Sequence, residues 1–207
     1  SYINTLVKLK QFKSAEKAVS ETRKIGLTSL ELDSIEEGLN NKHNRNVVSQ
    51  KILVGYVSEL AQLYNQGKFE ETINRANEIC EEFPNSAEVL NLCGAANTQL
   101  KQFNKAIESY ENAIRVSPKF STAYANLGVV LKFKGNLFQA IEYYKQAIQI
   151  DPYVPDVHNN LGSALKEIGQ IEAALESYKC ALRLNPNLVK SHYNMGLLLK
   201  EASNDAA

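Results

Sequence analysis

Residues 121–154 read STAYANLGVVLKFKGNLFQAIEYYKQAIQIDPYV, and this stretch decides the fold. Tyr124, Leu127, Gly128 and Leu131 stand at i, i+3, i+4 and i+7, the spacing of one helix face. Gly135-Asn136 breaks that helix. Ala140, Ile141, Tyr144, Ala147 and Ile148 define a second apolar stripe. Asp151-Pro152 closes it, because proline disfavours helix in the residue before it. The stretch predicts two helices joined by a tight turn. Gly128 and Ala140 are small enough to let them approach closely, with Tyr144 and Leu131 filling the space beside. A side chain of that size contributes roughly 1.5–3 kcal/mol when buried.

The pattern repeats on both sides. Pro84, Pro118, Pro152 and Pro186 are each 34 residues apart. So are Ala106, Ala140 and Ala174, then Tyr110, Tyr144 and Tyr178, then Ala113, Ala147 and Ala181. Gly94, Gly128, Gly162 and Gly196 form a further series at the same spacing. A fixed period of this length is the signature of a stack of like units. The 207 residues therefore read as a row of helix pairs and not as one or two globular cores.

These residues resemble the tetratricopeptide repeat (TPR). Its pattern of a large residue, Leu-Gly, a large apolar residue, Ala, an aromatic, Ala and Pro is matched by Tyr124, Leu127-Gly128, Leu131, Ala140, Tyr144, Ala147 and Pro152. The resemblance covers residues 53–200, in frames 53–86, 87–120, 121–154 and 155–188, with a lone first helix from 189. It implies an all-α fold, a right-handed superhelical solenoid of antiparallel helix pairs. Departures mark two frames. Frame 53–86 is degenerate, with Glu59 and Thr72 in place of Leu and Ala. Frame 87–120 carries Cys93 and Asn97 in place of apolar residues, and Lys101 where its neighbours have Gly.

The first residues are less regular. Residues 10–15 resemble residues 101–106, so 1–9 and 12–25 look like the two helices of an earlier repeat, and 29–39 like one further helix. The Asn-rich residues 40–46 read as a linker or exposed turn. The expected organisation is an irregular helical segment with a degenerate repeat and linker over 1–46, a degenerate repeat over 47–86, three regular repeats over 87–188, and a terminal helix and tail over 189–207. An irregular start followed by regular repeats resembles long bacterial TPR proteins. A chain that starts inside a helix and stops one helix into a repeat is expected to be a piece of a longer one.

In such stacks the first helices line the concave side. Asn126, Asn160 and Asn194 recur there, each directly before a Leu-Gly or Met-Gly pair. They resemble the asparagine ladder of O-GlcNAc transferases, which implies that they grip the main chain of a bound peptide. The ladder is expected to stop before frame 121–154, where Leu92 and Ser58 hold the equivalent places; Asn91 is adjacent but read as pointing elsewhere. A carboxamide offers an acceptor and two donors, the complement of a peptide group. Packed helices lie about 8–10 Å apart and an extended peptide rises about 3.3 Å per residue. One rung would meet about every third residue and read backbone, at about 0.5–1.5 kcal/mol each. The competing reading is that these asparagines cap helices, face solvent or link neighbouring helices. Lys132, Lys166 and Lys200 form a parallel series, read either as a stripe for acidic side chains or a peptide C-terminus, or as a solvated face. The chaperone-tail clamp of other TPRs is not matched, since Asn91, Ala95, Ala125 and Val129 occupy its places.

Other chemistry is sparse. His158 and His192 sit where the repeat puts a bulky packing residue, and without a carboxylate or Cys partner they make a poor metal site. Cys80, Cys93 and Cys180 form no CxxC pair and read as reduced thiols, which favours a cytoplasmic location. Cys80 and Cys93 fall on apolar core positions. No phosphate loop, nucleophile elbow or paired-carboxylate motif appears, so no cofactor, metal or catalytic residue is expected. With 23 basic and 23 acidic side chains the chain is neutral, which argues against a nucleic-acid partner. Its apolar runs are too short for membrane insertion.

The function expected is a non-catalytic protein–protein interaction scaffold holding a peptide or extended segment in the concave groove. Two alternatives stand beside it. One is a substrate-presenting arm of a larger glycosyl- or sulfotransferase. The other is a self-assembly module, because the last helix is expected to expose Met195, Leu197, Leu198 and Leu199 and so to continue the array or associate with another copy.

Overall fold

The computed structural model describes residues 42–204, and among these nine helices and no strand are found. They are α1 (Lys42–Asn65), α2 (Phe69–Glu82), α3 (Ala87–Gln99), α4 (Phe103–Val116), α5 (Ser121–Phe133), α6 (Leu137–Ile150), α7 (Pro155–Glu167), α8 (Ile171–Leu184) and α9 (Val189–Asn204). The helices expected over 1–9, 12–25 and 29–39 lie outside the described residues. The chain forms two compact units that divide between Lys68 and Phe69. Among the described residues, α1 belongs to the first unit and α2 to α9 to the second.

Residues 42–46, expected as linker, belong to α1. Asn, His, Lys and Arg each lie within about 0.7 kcal/mol of Ala in helix propensity, and no Gly or Pro intervenes. A helix running on from Val47 therefore extends back through them without a break.

In the second unit the helix pairs follow the frames: α3 with α4, α5 with α6, α7 with α8. The small residues set the approach. A Cβ built on Gly94, Gly128 or Gly162 would lie 2.7 Å from the ring of Tyr110, Tyr144 or Tyr178, closer than real side chains come. Each tyrosine is thus a knob in a hole that glycine leaves on the preceding helix. The rings, together with Leu127, Leu131, Leu161, Leu165, Ala106, Ala140, Ala147 and Ala174, make one core running through successive frames. Because each frame buries residues against the next, stability accrues along the row.

The turns inside the pairs share one backbone solution. Lys101, Gly135 and Gly169 have φ of 59°, 80° and 78°, the left-handed region. Glycine enters it without penalty. Lys101 does not, at a cost of about 1 kcal/mol. Helix starts are less uniform. The Ser86 hydroxyl accepts from the Val89 N–H at 3.3 Å and caps α3, whereas α7 begins on Pro155, whose missing N–H is no loss in a first turn.

The tyrosine hydroxyls differ. Tyr110 Oη shares a hydrogen bond with Thr98 Oγ1 at 3.2 Å. The Tyr144 hydroxyl is buried with no partner, because Val129 and Lys132 stand where a short hydroxyl side chain would reach it. Burial, and more weakly the Glu167 carboxylate, push its pKa well above the usual phenol range.

The last helix corrects one expectation. Leu198 is buried and Leu197 half-buried, while Met195 packs partly against the core. Of the four residues expected on the surface, Leu199 is the exposed one.

Candidate functional site

Successive first helices, α3, α5, α7 and α9, present the asparagine row. Asn126 and Asn160 are half-buried, each beside a fully packed Leu-Gly pair that fixes its helix face. Asn194 occupies the same place on α9. The amides are tied to one another. Asn126 Nδ2 donates to Asn91 Oδ1 at 3.0 Å, and Asn194 Nδ2 donates to Asn159 Oδ1 at 3.1 Å. Asn159 is buried and accepts a second bond, from Ser191 Oγ at 3.0 Å. Asn159 Nδ2 reaches Asn160 Oδ1 at 3.4 Å. Asn91, read from sequence as pointing elsewhere, is buried and orients Asn126.

These bonds sort the rungs. Asn126 and Asn194 each spend one amide proton on the preceding repeat and keep an acceptor and a donor. Asn160 keeps both amide protons, because Ala125 stands where Asn91 and Asn159 stand in their frames and offers no side-chain carbonyl. The row thus links neighbouring helices and keeps some amide groups without a partner among the described residues. A carboxamide pinned at its nitrogen cannot flip, so its free acceptor is presented in a fixed direction.

The lysines are paired. Lys132 Nζ contacts Glu167 Oε1 at 2.8 Å and donates to Ser163 Oγ at 2.7 Å. Lys166 Nζ contacts Glu201 Oε2 at 2.7 Å. Lys200 is engaged as well. Lys190 on α9 pairs back with Asp156 on α7, the opposite polarity. Each ion pair joins one first helix to the next. Exposed pairs of this kind contribute about 0–1 kcal/mol, and an acidic ligand would have to compete with the glutamates already present.

The aromatic and histidine places hold turns. Tyr124 Oη donates to the Pro118 carbonyl at 3.2 Å and its ring lies 6.2 Å from Tyr143. His158 Nε2 bonds the Pro152 carbonyl at 2.9 Å, and His192 Nε2 the Pro186 carbonyl at 2.8 Å. A carbonyl only accepts, so Nε2 carries the proton in both rings. The histidines, expected as packing residues, act through this bond, and His192 is exposed.

In frame 87–120 Asn97 is buried, donates to the Cys93 carbonyl at 2.9 Å, and leaves its Oδ1 without a partner. Cys93 is buried and Cys80 half-buried, both as free thiols. Burial pushes the Cys93 thiol up, against hydrogen bonds from Ser109 and Asn97. Burial raises Cys80 too, with Cys93 adding to it. Both stay protonated at neutral pH and so are poor nucleophiles. Among the described residues no three His, Cys, Asp or Glu side chains gather into a metal-binding group, and no helix is long and apolar enough to cross a membrane.

A family model described as TPR repeat matches residues 94–135, 133–169 and 162–202. Over 75 residues the chain is 36% identical to the probable UDP-N-acetylglucosamine–peptide N-acetylglucosaminyltransferase SEC of Arabidopsis thaliana; the match is 36% of this chain and 8% of that protein, so the chain spans a small part of that relative. The fold is similar to MamA (residues 41 to the end) from Desulfovibrio magneticus RS-1, with a TM-score of 0.64, 21% identity, and 72% of this chain and 84% of that one covered. It is also similar to YrrB, described as a TPR protein with an unusual peptide-binding site, with a TM-score of 0.59, 17% identity and 84% of each chain covered. Both likenesses are of fold.

Proposed function

The chain belongs to the tetratricopeptide repeat family, and from that premise we propose that it is a non-catalytic scaffold that holds an extended protein segment along the row of Asn126, Asn160 and Asn194, with Lys132, Lys166 and Lys200 beside it. The observation that carries this reading is the state of the row: carboxamides on successive first helices, two of them oriented by a buried asparagine of the preceding repeat and the third with both amide protons available. Such groups complement the main chain of a segment laid across the helices, and their fixed directions lower the ordering cost of binding. The paired lysines add polarity with little net charge, which favours a ligand of mixed composition over a strongly acidic one.

The test uses peptides selected from a displayed random library against this protein. Synthetic copies of the selected peptides are then titrated into the wild type and into Asn126→Ala, Asn160→Ala and Asn194→Ala, singly and together. Three lost bonds at about 0.5–1.5 kcal/mol each predict affinity about 10- to 1,000-fold lower in the triple variant. Asn160→Ala is the cleanest single probe, because its amide protons hold nothing else in the chain. Unchanged affinity with an intact helical spectrum would remove the row from the binding site.

A second reading has one observation behind it, the 36% match to a peptide glycosyltransferase. In that reading the repeats present substrate to a transferase domain of the same polypeptide. Finding a transferase domain in the complete open reading frame would support it, and a complete frame of repeats alone would end it.

A further inference from the structure

The ion-pair register between successive first helices does not reach frame 87–120. Lys132 meets Glu167 and Lys166 meets Glu201, each 35 residues on. One frame earlier the same two places hold Thr98 and Phe133. The Thr98 hydroxyl turns back to its own helix and donates to the Gly94 carbonyl at 2.8 Å. Phe133 stacks on Phe103, with ring centroids 6.1 Å apart and planes 11° from parallel. It is nonetheless 68% exposed. Beyond the turn that follows it stands Phe138, 73% exposed.

The repeat needs neither ring. Glu167 and Glu201 fill the place of Phe133 in later frames, and Asn104 and Glu172 fill that of Phe138. Two exposed aromatics therefore stand where the array otherwise has polar side chains. Their surroundings are basic. Lys134 Nζ donates to Asn104 Oδ1 at 2.7 Å, which ties the turn after α5 to the start of α4. Lys101 and Lys105 flank Asn104 in sequence and so share that edge. Residues 98–106 and 129–141 contain no Asp or Glu. Lys101, Lys105 and Lys134 are exposed, and none of them forms an ion pair among the described residues.

We propose that this edge, Phe133 and Phe138 with Lys101, Lys105 and Lys134, docks an acidic protein segment that carries an aromatic side chain among its carboxylates. The aromatic side chain packs against the exposed rings, and the carboxylates pair with the lysines. Charge complementarity selects this occupant, because a chain of zero net charge gathers three cations without carboxylate partners beside apolar surface. The footprint is small. Stable attachment to a bilayer takes a wider basic cluster or a deeper apolar face. A segment of about four residues, at about 3.3 Å each, spans two adjacent turns about 8–10 Å apart. The edge is built from turns and not from the asparagine row, so it adds a contact beyond the proposed groove.

The probe is the synthetic peptide Gly-Glu-Asp-Trp-Asp-Glu-Gly, titrated with the 207-residue protein at low ionic strength. The chain has no tryptophan, so the indole emission of the peptide reports its own burial. A saturable blue shift is expected. The uncharged peptide Gly-Gln-Asn-Trp-Asn-Gln-Gly is expected to bind about tenfold more weakly or less, and Gly-Glu-Asp-Ala-Asp-Glu-Gly to compete as poorly. Phe133→Glu and Phe138→Glu install the residues that frame 155–188 holds at these places, so both fit the fold. Together they are expected to weaken binding about tenfold or more with an unchanged circular dichroism spectrum. Lys101→Gly with Lys105→Gln, again residues of the following frame, is expected to weaken it about threefold, and added salt to narrow that gap. Peptides selected for the asparagine row are expected not to displace the probe, which separates the two sites. The proposal is overturned if the acidic peptide does not bind saturably, if the uncharged peptide binds equally well, or if the phenylalanine variants keep wild-type affinity. It is overturned too if binding that depends on Phe133 and Phe138 is found only with phosphatidylcholine–phosphatidylserine vesicles.

Discussion

Frames 87–120 and 121–154 share a skeleton and differ along one line of it. Where α5 and its turn have Leu127, Leu131 and Gly135, α3 and its turn have Cys93, Asn97 and Lys101. The backbone is the same in both, down to the left-handed turn residue and the tyrosine ring on a glycine. The first frame thus tolerates a polar, orphaned carboxamide and a strained lysine without leaving the fold. Neighbouring frames hold each pair from both sides, so geometry is set by the array and local residues adjust the free energy within it.

That comparison can be broken by exchanging residues between the frames. Leu131→Asn imports the polar residue into the regular frame. It loses leucine burial and adds a buried amide without a full set of partners, and is expected to cost about 3–5 kcal/mol. Urea unfolding followed by circular dichroism measures it. A cost below that of an exposed substitution would mean that the frame rearranges around the amide. The reverse exchange, Asn97→Leu, removes the unpaired Oδ1 and is expected to gain about 1–3 kcal/mol by the same assay. Lys101→Gly relieves the left-handed lysine and is expected to gain up to about 1 kcal/mol.

The smallest effects sit at the tyrosines and sharpen the comparison. Tyr110→Phe loses the bond to Thr98, at about 0.5–1.5 kcal/mol, whereas Tyr144→Phe removes a hydroxyl with no partner and is expected to be neutral or stabilising. The pair differs in alkali as well. Because the Tyr144 pKa is raised in the folded state, its contribution is fully present below the unfolded phenol value of about 10 and is lost as pH climbs through the folded value. Tyr144→Phe is expected to flatten that alkaline loss in melting temperatures taken across pH 9 to about 12.

The fold was legible because its determinants are local and recur. The 34-residue series of Pro, Ala, Tyr and Gly names the helix faces, the turns and the knob-in-hole contacts, and all of them stand where the spacing puts them. The start of α1 was not legible, since residues 42–46 have no strong preference and follow the helix beyond them. The partners of the site were not legible either, for a geometric reason. A ruler of 34 finds equivalent residues, but four of the contacts that join successive first helices fall at 35: Asn91 with Asn126, Asn159 with Asn194, Lys132 with Glu167, Lys166 with Glu201. Searching at the second offset would have found Asn91 and Asn159. The exposure of Leu199 against the burial of Leu198 turns on a rotation of one residue around α9, finer than a reading of apolar runs can divide.

The inter-repeat ion pairs have a consequence for how such a chain can change its length. Frame 155–188 supplies Lys166 to Glu201 of the frame after it and Glu167 to Lys132 of the frame before. Duplicating or deleting that frame therefore adds or removes a cation and an anion together, and the new junction finds its partner already in register. An array built this way can grow without accumulating the self-repulsion that a one-signed repeat would impose.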